Sequence, residues 1–331
     1  MCRKSPCVAD VVRDYDLGVT SGWLWRECEV SVRGRPFTFR SLVVGVAASV
    51  LTIGVVATPA PPAAAAAPMR TAAVLDASGD ALVGRDISFP QCNGALPIES
   101  RGAFGVLGTN NGISFTRNPC LVRELAWAKR LPLPPAFYAN TGNPGPLRAK
   151  HWPSGQTSPN VCSTTDLNSI GCSYDYGWNA AWQSYNTATD AAQRLHHVSR
   201  ADARSRAANV EWWLDIETMN SWQTLDGPST RLAKQRDVAT IEGEVDALRA
   251  VGVESVGFYS TSFQWRIITG GFAITQGRFA GIPVWLAGFE SHSDAVAGCP
   301  HSSFTGGPVR MTQYLGSDGF DSDIACTGGS S

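Results

Sequence analysis

The residues Val210 to Glu217 (VEWWLDIE) concentrate more acid than a strand in a covered sheet readily holds. Period-2 alternation puts Glu211, Trp213, Asp215 and Glu217 on one face and Trp212, Leu214 and Ile216 on the other. The apolar face suits packing against helices. The acidic face must then point into a closed sheet or its mouth, where unpaired charge is costly. Paired carboxylates are the working parts of glycoside hydrolysis: one, protonated, gives its proton to the leaving oxygen, and the other stays ionised beside the developing oxocarbenium. Burial and mutual repulsion should raise the pKa of one of them. Glu217, nearer the C-terminal end of the strand, is the expected acid, with Asp215 orienting and stabilising. The structural alternative is a buried ion pair with Arg85 or with another Lys or Arg of a neighbouring strand.

The elements that must position these groups are visible as eight strand-like runs: 82–89, 104–108, 136–139, 210–217, 255–260, 283–287, 309–314 and 320–325. Most are parted by helix-length segments, which predicts a parallel α/β fold. Asn118 and Pro119 open one helix (CLVRELAWAKRL). The stripe Val238, Ile241, Val245 and Leu248, closed by Gly252, marks a second, and a third is expected from about Tyr176 to Leu195. The Pro/Ser/Thr/Asn-rich stretch from Asn143 to Tyr174 reads as an elaborated loop over one end of the sheet. Trp213, Trp222 and Trp285, near strand ends, are the tryptophans best placed for a sugar-stacking role.

In chain order, DISFPQ (86–91), LDIE (214–217), GFYS (257–260), VWLA (284–287), TQY (312–314) and FDSD (320–323) resemble the motif series of the glycoside hydrolase family 25 lysozymes. The resemblance spans about Val83 to Cys326. It implies an irregular (β/α) TIM-like barrel that cleaves the cell-wall glycan between N-acetylmuramic acid and N-acetylglucosamine. Glu217 matches the proton donor and Asp215 the carboxylate beside it, while Asp86 and Asp321 match two further acids of the groove. Tyr259, Trp285 and Gln313 match positions that line the sugar site. Asp323 shares the face of Asp321, but the family pattern favours Asp321. Thr312 stands where the family usually has Trp, which predicts the loss of one stacking contact, and the 143–174 loop is additional. Same-face strand neighbours lie roughly 7 Å apart, between the retaining and inverting carboxyl separations, so the stereochemistry stays open.

Residues 1–67 read as a secretory signal region with an over-long n-region. Arg33, Arg35 and Arg40 precede the uncharged run Leu42 to Thr58, and Ala63 to Ala67 supply a small-residue cleavage site. The n-region carries Cys2, Cys7 and Cys28, which suggests a start further downstream, about Val32. A membrane contact is expected only through an uncleaved form of this segment. Residues 68–81 are expected as a linker and 82–331 as one disulfide-bonded barrel domain. Six cysteines remain beyond the signal, and of about fifteen connectivities the sequential spacing suggests Cys92–Cys120, Cys162–Cys172 and Cys299–Cys326. No C-x-x-C occurs and no two histidines stand at i, i+4, so no metal is expected, and the chemistry needs no cofactor.

The chain has 27 Lys+Arg against 28 Asp+Glu, a net charge of −1, which gives no electrostatic case for nucleic acid. No phosphate loop, G-x-S-x-G elbow or dinucleotide fingerprint is present. The expectation is therefore a secreted, cell-wall-associated monomer whose partner is the wall glycan. Two rivals stay open: a barrel that binds wall sugar without cutting it, and a glycosidase for another extracellular polysaccharide.

Overall fold

A computed structural model describes residues 73–99, 102–271 and 277–327. The chain divides into two units, Met1–Ala64 and Ala65–Ser331, and the described residues lie in the second. The signal-region assignments fall outside them.

Eight strands close into a barrel in chain order: β1 (Val83–Ile87), β2 (Gly105–Gly108), β3 (Ala136–Asn140), β4 (Trp212–Asp215), β5 (Val256–Ser260), β6 (Val284–Phe289), β7 (Val309–Leu315) and β8 (Asp321–Ala325). Neighbours from β1 to β7 are parallel. β8 is antiparallel to both β7 and β1, so the closing strand starts at the end of the barrel where the others finish. Each of the eight runs read from sequence overlaps one of these strands, with β3, β6 and β7 running one or two residues further. The antiparallel β8 departs from the all-parallel expectation because the β7–β8 connection, residues 316–320, is too short for a crossover.

The helices are α1 (Leu121–Ala128), α2 (Ile170–His196), α3 (Arg200–Ala208), α4 (Gln223–Asp226), α5 (Arg231–Ala250), α6 (Ser262–Thr269) and α7 (His292–Gly298). α2 starts about two turns earlier than the sequence suggested. Ser169 caps it by accepting from the Cys172 backbone N–H, and Cys172 is tied by a disulfide to Cys162. All three pairings suggested by spacing are present: Cys92–Cys120, Cys162–Cys172 and Cys299–Cys326.

Alternation along the strands sorts side chains between two cores. Trp212, Leu214, Ile216, Phe258 and Val284 join the outer core under the helices, while Phe104, Val106, Trp213, Trp285 and Met311 fill the barrel. The longest helices, α2 and α5, meet through glycine notches: a Cβ on Gly177 would stand 2.0 Å from the Thr240 carbonyl oxygen, and one on Gly243 2.0 Å from that of Tyr174. Residues 73–81, expected as linker, instead form a short hairpin on the end of β8. Val74 donates to the Ala325 carbonyl (2.7 Å), and Ala73 bridges Cys326.

Candidate active site

The C-terminal mouth of the barrel holds a cavity of about 240 Å³ whose walls include Asp86, Tyr138, Asn140, Asp215, Glu217, Tyr259, Trp285, Gln313 and Asp321. β1 supplies Asp86, β4 Asp215, and the antiparallel β8 brings Asp321 to the same mouth from its first residue. All four acids expected from sequence therefore meet in one place. No Lys, Arg or His lines this cavity.

Glu217 lies just past β4, not within the strand as the sequence reading had it. The Ile216 backbone N–H still donates to Tyr259 (2.9 Å), but its carbonyl accepts the Ser260 hydroxyl (2.7 Å), and the chain then turns. The Glu217 carbonyl accepts the Trp222 indole N–H (2.9 Å) and the Asn220 backbone N–H (3.1 Å), which pins the turn beneath the half-buried carboxylate. Arg85 does not neutralise these acids. It faces the other way, donating to Ser322 Oγ and pairing with Asp318 (3.2 Å); Glu211, at the other end of the acidic face, is paired with Arg310 (3.2 Å), so the ion-pair alternative holds for Glu211 and not for Asp215 and Glu217.

The electrostatics follow from burial. Asp215, 3% exposed, has its carboxyl pushed well above the usual carboxylate range by burial first and by Glu217 second. Glu217 is raised too, mainly by burial. Two neighbouring buried carboxyls favour one proton for the pair over two charges. Sequence reasoning gave the raised value to Glu217, whereas the deeper Asp215 is raised more, because depth along the barrel axis is invisible to strand alternation. Asp86 is pushed up to about 7 by burial and by the charge of Asp321, against a hydrogen bond from Gln313.

Asn140, at the end of β3, donates through its side-chain amide to Asp215 Oδ2. Its backbone is held on both sides by Asn110, which donates to the Asn140 carbonyl (3.0 Å) and accepts its N–H (3.2 Å). A relay runs along the opposite wall: the Tyr259 hydroxyl donates to Gln313 Oε1 (2.7 Å), and Gln313 Nε2 donates to Asp86 Oδ2 (3.0 Å). Sequence reasoning missed Asn140 and Tyr138. Their signal was two polar-tipped residues at period 2 running to the end of a strand, the place where barrel sites form.

Two tryptophans do not take the groove positions expected of them. Trp213 is fully buried one layer below Asp215, with its ring edge-on to Trp285 (6.0 Å), and Gly257 opposite leaves room for it. Trp222 is fully buried in the outer core. Neither offers a ring face to the cavity, which Trp285 reaches. Asp323 is fully buried below the mouth and is not in its wall, whereas Asp321 is. Thr312 points away from the groove and donates to the Ala295 carbonyl on α7 (2.7 Å), so the side chain at this position has no bearing on sugar stacking.

No family model matches the chain, and no curated protein matches it. Solved structures do. The chain is similar to family 25 muramidases. A family GH25 lysozyme from Aspergillus fumigatus is 15% identical with a TM-score of 0.47, over 74% of this chain and 94% of that one. A muramidase from Trichobolus zukalii is 17% identical with a TM-score of 0.43, over 74% and 93%. A modular autolysin from Streptococcus pneumoniae, solved in complex with a synthetic peptidoglycan ligand, is 14% identical with a TM-score of 0.43, over 74% and 46%.

Among the described residues the one cluster with metal-ligand spacing is Cys92, Cys120 and Glu124, and both sulfurs there are joined to each other in a disulfide. The mouth itself has buried acids and no cation in its walls.

Proposed function

We propose that this domain is a secreted glycoside hydrolase that cuts the glycan of bacterial peptidoglycan, with Glu217 as the general acid and Asp215, Asp86 and Asp321 as its acidic partners. The observation that carries this reading is the meeting of Asp86, Asp215, Glu217 and Asp321 in one cation-free barrel mouth, with the Asp215 and Glu217 carboxyls both raised by burial. A carboxyl pair of this kind can supply one proton and one negative charge, the two things that cleavage of a glycosidic bond needs.

Before the sugar arrives, burial keeps the shared proton toward Asp215. When a glycosidic oxygen is set against the accessible Glu217, that one proton passes from Asp215 to Glu217 and on to the oxygen, leaving Asp215 ionised. As the bond from the anomeric carbon to the leaving oxygen breaks, positive charge develops beside the ionised Asp215, which the Asn140 amide steadies in that form. Water completes the reaction at the anomeric carbon and returns its proton to the pair. Tyr259 and Gln313 hold Asp86 on the far wall, and Trp285 offers the floor on which a pyranose ring rests. The three disulfides and the apolar run 42–58 support action outside the cytoplasm.

The test is to incubate the disulfide-bonded protein with purified peptidoglycan and identify the products by mass spectrometry, with Glu217→Gln alongside. Muramic-acid reducing ends released by the parent and lost in the variant establish a muramidase. Binding of the wall by both proteins with no release by either replaces the enzyme with a binding barrel.

A further inference from the structure

A second and larger cavity, of about 450 Å³, adjoins the acidic one, and Gly112 and Asn140 stand in the walls of both. Its other walls come from three loops of the catalytic face. The β2–α1 loop supplies Ile113 to Thr116, the 141–169 loop supplies Arg148 to His151, and the turn after β4 supplies Met219 to Ser221. The two spaces have opposite chemistry. The acidic mouth has four carboxylates and no cation in its walls; its neighbour has Arg148, Lys150 and His151 and no carboxylate. A chain with one net charge has no general reason to sort its ionic groups this way across a shared wall.

The cationic wall is held in place. Phe115 takes a left-handed backbone (φ 65°), uncommon for a bulky residue, which sets its ring against His151 (centroids 4.9 Å) and Tyr176 (5.0 Å). The Cys162–Cys172 disulfide ties the end of the 141–169 loop to the first turn of α2. Arg148 is paired with Asp226 (2.9 Å), while Lys150 is exposed and makes no ion pair among the described residues. The site therefore presents an uncompensated ammonium at the edge of a pocket with aromatic and small polar walls, next to the place where a sugar bond would be cut.

We propose that this second cavity takes the peptide stem of the glycan, with a free stem carboxylate at Lys150 and the small apolar side chains of the stem against Phe115 and Tyr176. The inference rests on the peptidoglycan reading of the acidic mouth and narrows it. The preferred substrate becomes glycan that still carries its peptides, because a bare strand leaves the cationic pocket unused.

The test uses three forms of one glycan: strands with stems, strands with stems whose carboxylates are capped as amides, and strands stripped of stems by an amidase. Rates are compared for the parent protein and for Lys150→Glu. The parent should cut stem-bearing strands about two- to fivefold faster than capped or stripped ones, the scale of one exposed ion pair. In the variant the ratio of stem-bearing to capped rates should fall to one or below. A parent that cuts all three forms equally, or a variant that keeps the parent's ratio, overturns the stem-binding role and leaves the muramidase reading standing. A parent that cuts none of the three overturns both.

Discussion

Glu217 and Asp215 stand two positions apart in the chain but differ in depth, and that difference divides their labour. Asp215 is sealed in and steadied by Asn140; Glu217 is half exposed, which in the proposed reaction makes it the group that meets the glycan. Glu217→Gln should therefore lower kcat by about 10²–10⁴-fold while leaving wall binding intact, as measured by product release and by co-sedimentation with the wall. Equal loss of binding would mean that the side chain holds sugar and does not donate a proton. Asn140 permits a subtler test. Its amide favours the ionised Asp215, so Asn140→Ala should raise the Asp215 pKa further and move the acidic limb of the kcat profile to higher pH; a uniform drop at all pH values would reduce Asn140 to a structural role. The four acids were legible in the sequence because charge on the inward face of a strand has few structural uses. The mistaken tryptophans were not, because alternation tells which side of a sheet a residue faces and is silent on whether it lies at the mouth or a layer below.

Helix α2 is the element that sequence reasoning drew too short. Its N-terminal turn is tied to the 141–169 loop by Cys162–Cys172, and its N-terminal third lies on α5 at a separation that only glycine permits. Gly177→Ala would press a methyl group into the Thr240 carbonyl, so it should cost about 2–3 kcal/mol of stability, read as a lower midpoint in urea at unchanged slope. An unchanged midpoint would mean that the two helices shift apart freely. The strands were readable from their β-branched and aromatic runs bounded by turn residues. The start of α2 was hidden because Ser169 and a disulfide fix it, and the residues of its first turns lack a clean apolar stripe. Thr312 shows the same limit from the other side: a departure from a family pattern looked like a change in the groove until the strand's facing put it against α7.

The whole molecule carries an unusual load of buried acid outside the mouth. Burial pushes Glu244 up to about 8, with only the Thr141 hydroxyl donating to it (2.7 Å), and pushes Glu124 and Asp237 up to about 7. Each of these groups holds its proton more tightly folded than unfolded. Between the unfolded carboxylate range near pH 4 and the folded values near 7 to 8 the native state binds more protons, and stability falls as pH rises through that window. The melting temperature should thus be highest near pH 4–5 and decline toward pH 8, and Glu244→Gln should flatten the decline by on the order of a few kcal/mol. A parent profile that rises over the same interval would sink this account. The barrel as a whole was legible because strand and helix lengths alternate along the chain, whereas the reversal of β8 was carried by a short connection that composition does not flag. That reversal, together with the hairpin of residues 73–81, brings Ala73 and Cys326 side by side at the end of the barrel away from the acids. A short peptide joining those two points would let the barrel be circularly permuted, with new termini cut into an outer loop, and a tag or cargo fused at either point would hang beneath the barrel and leave the mouth clear.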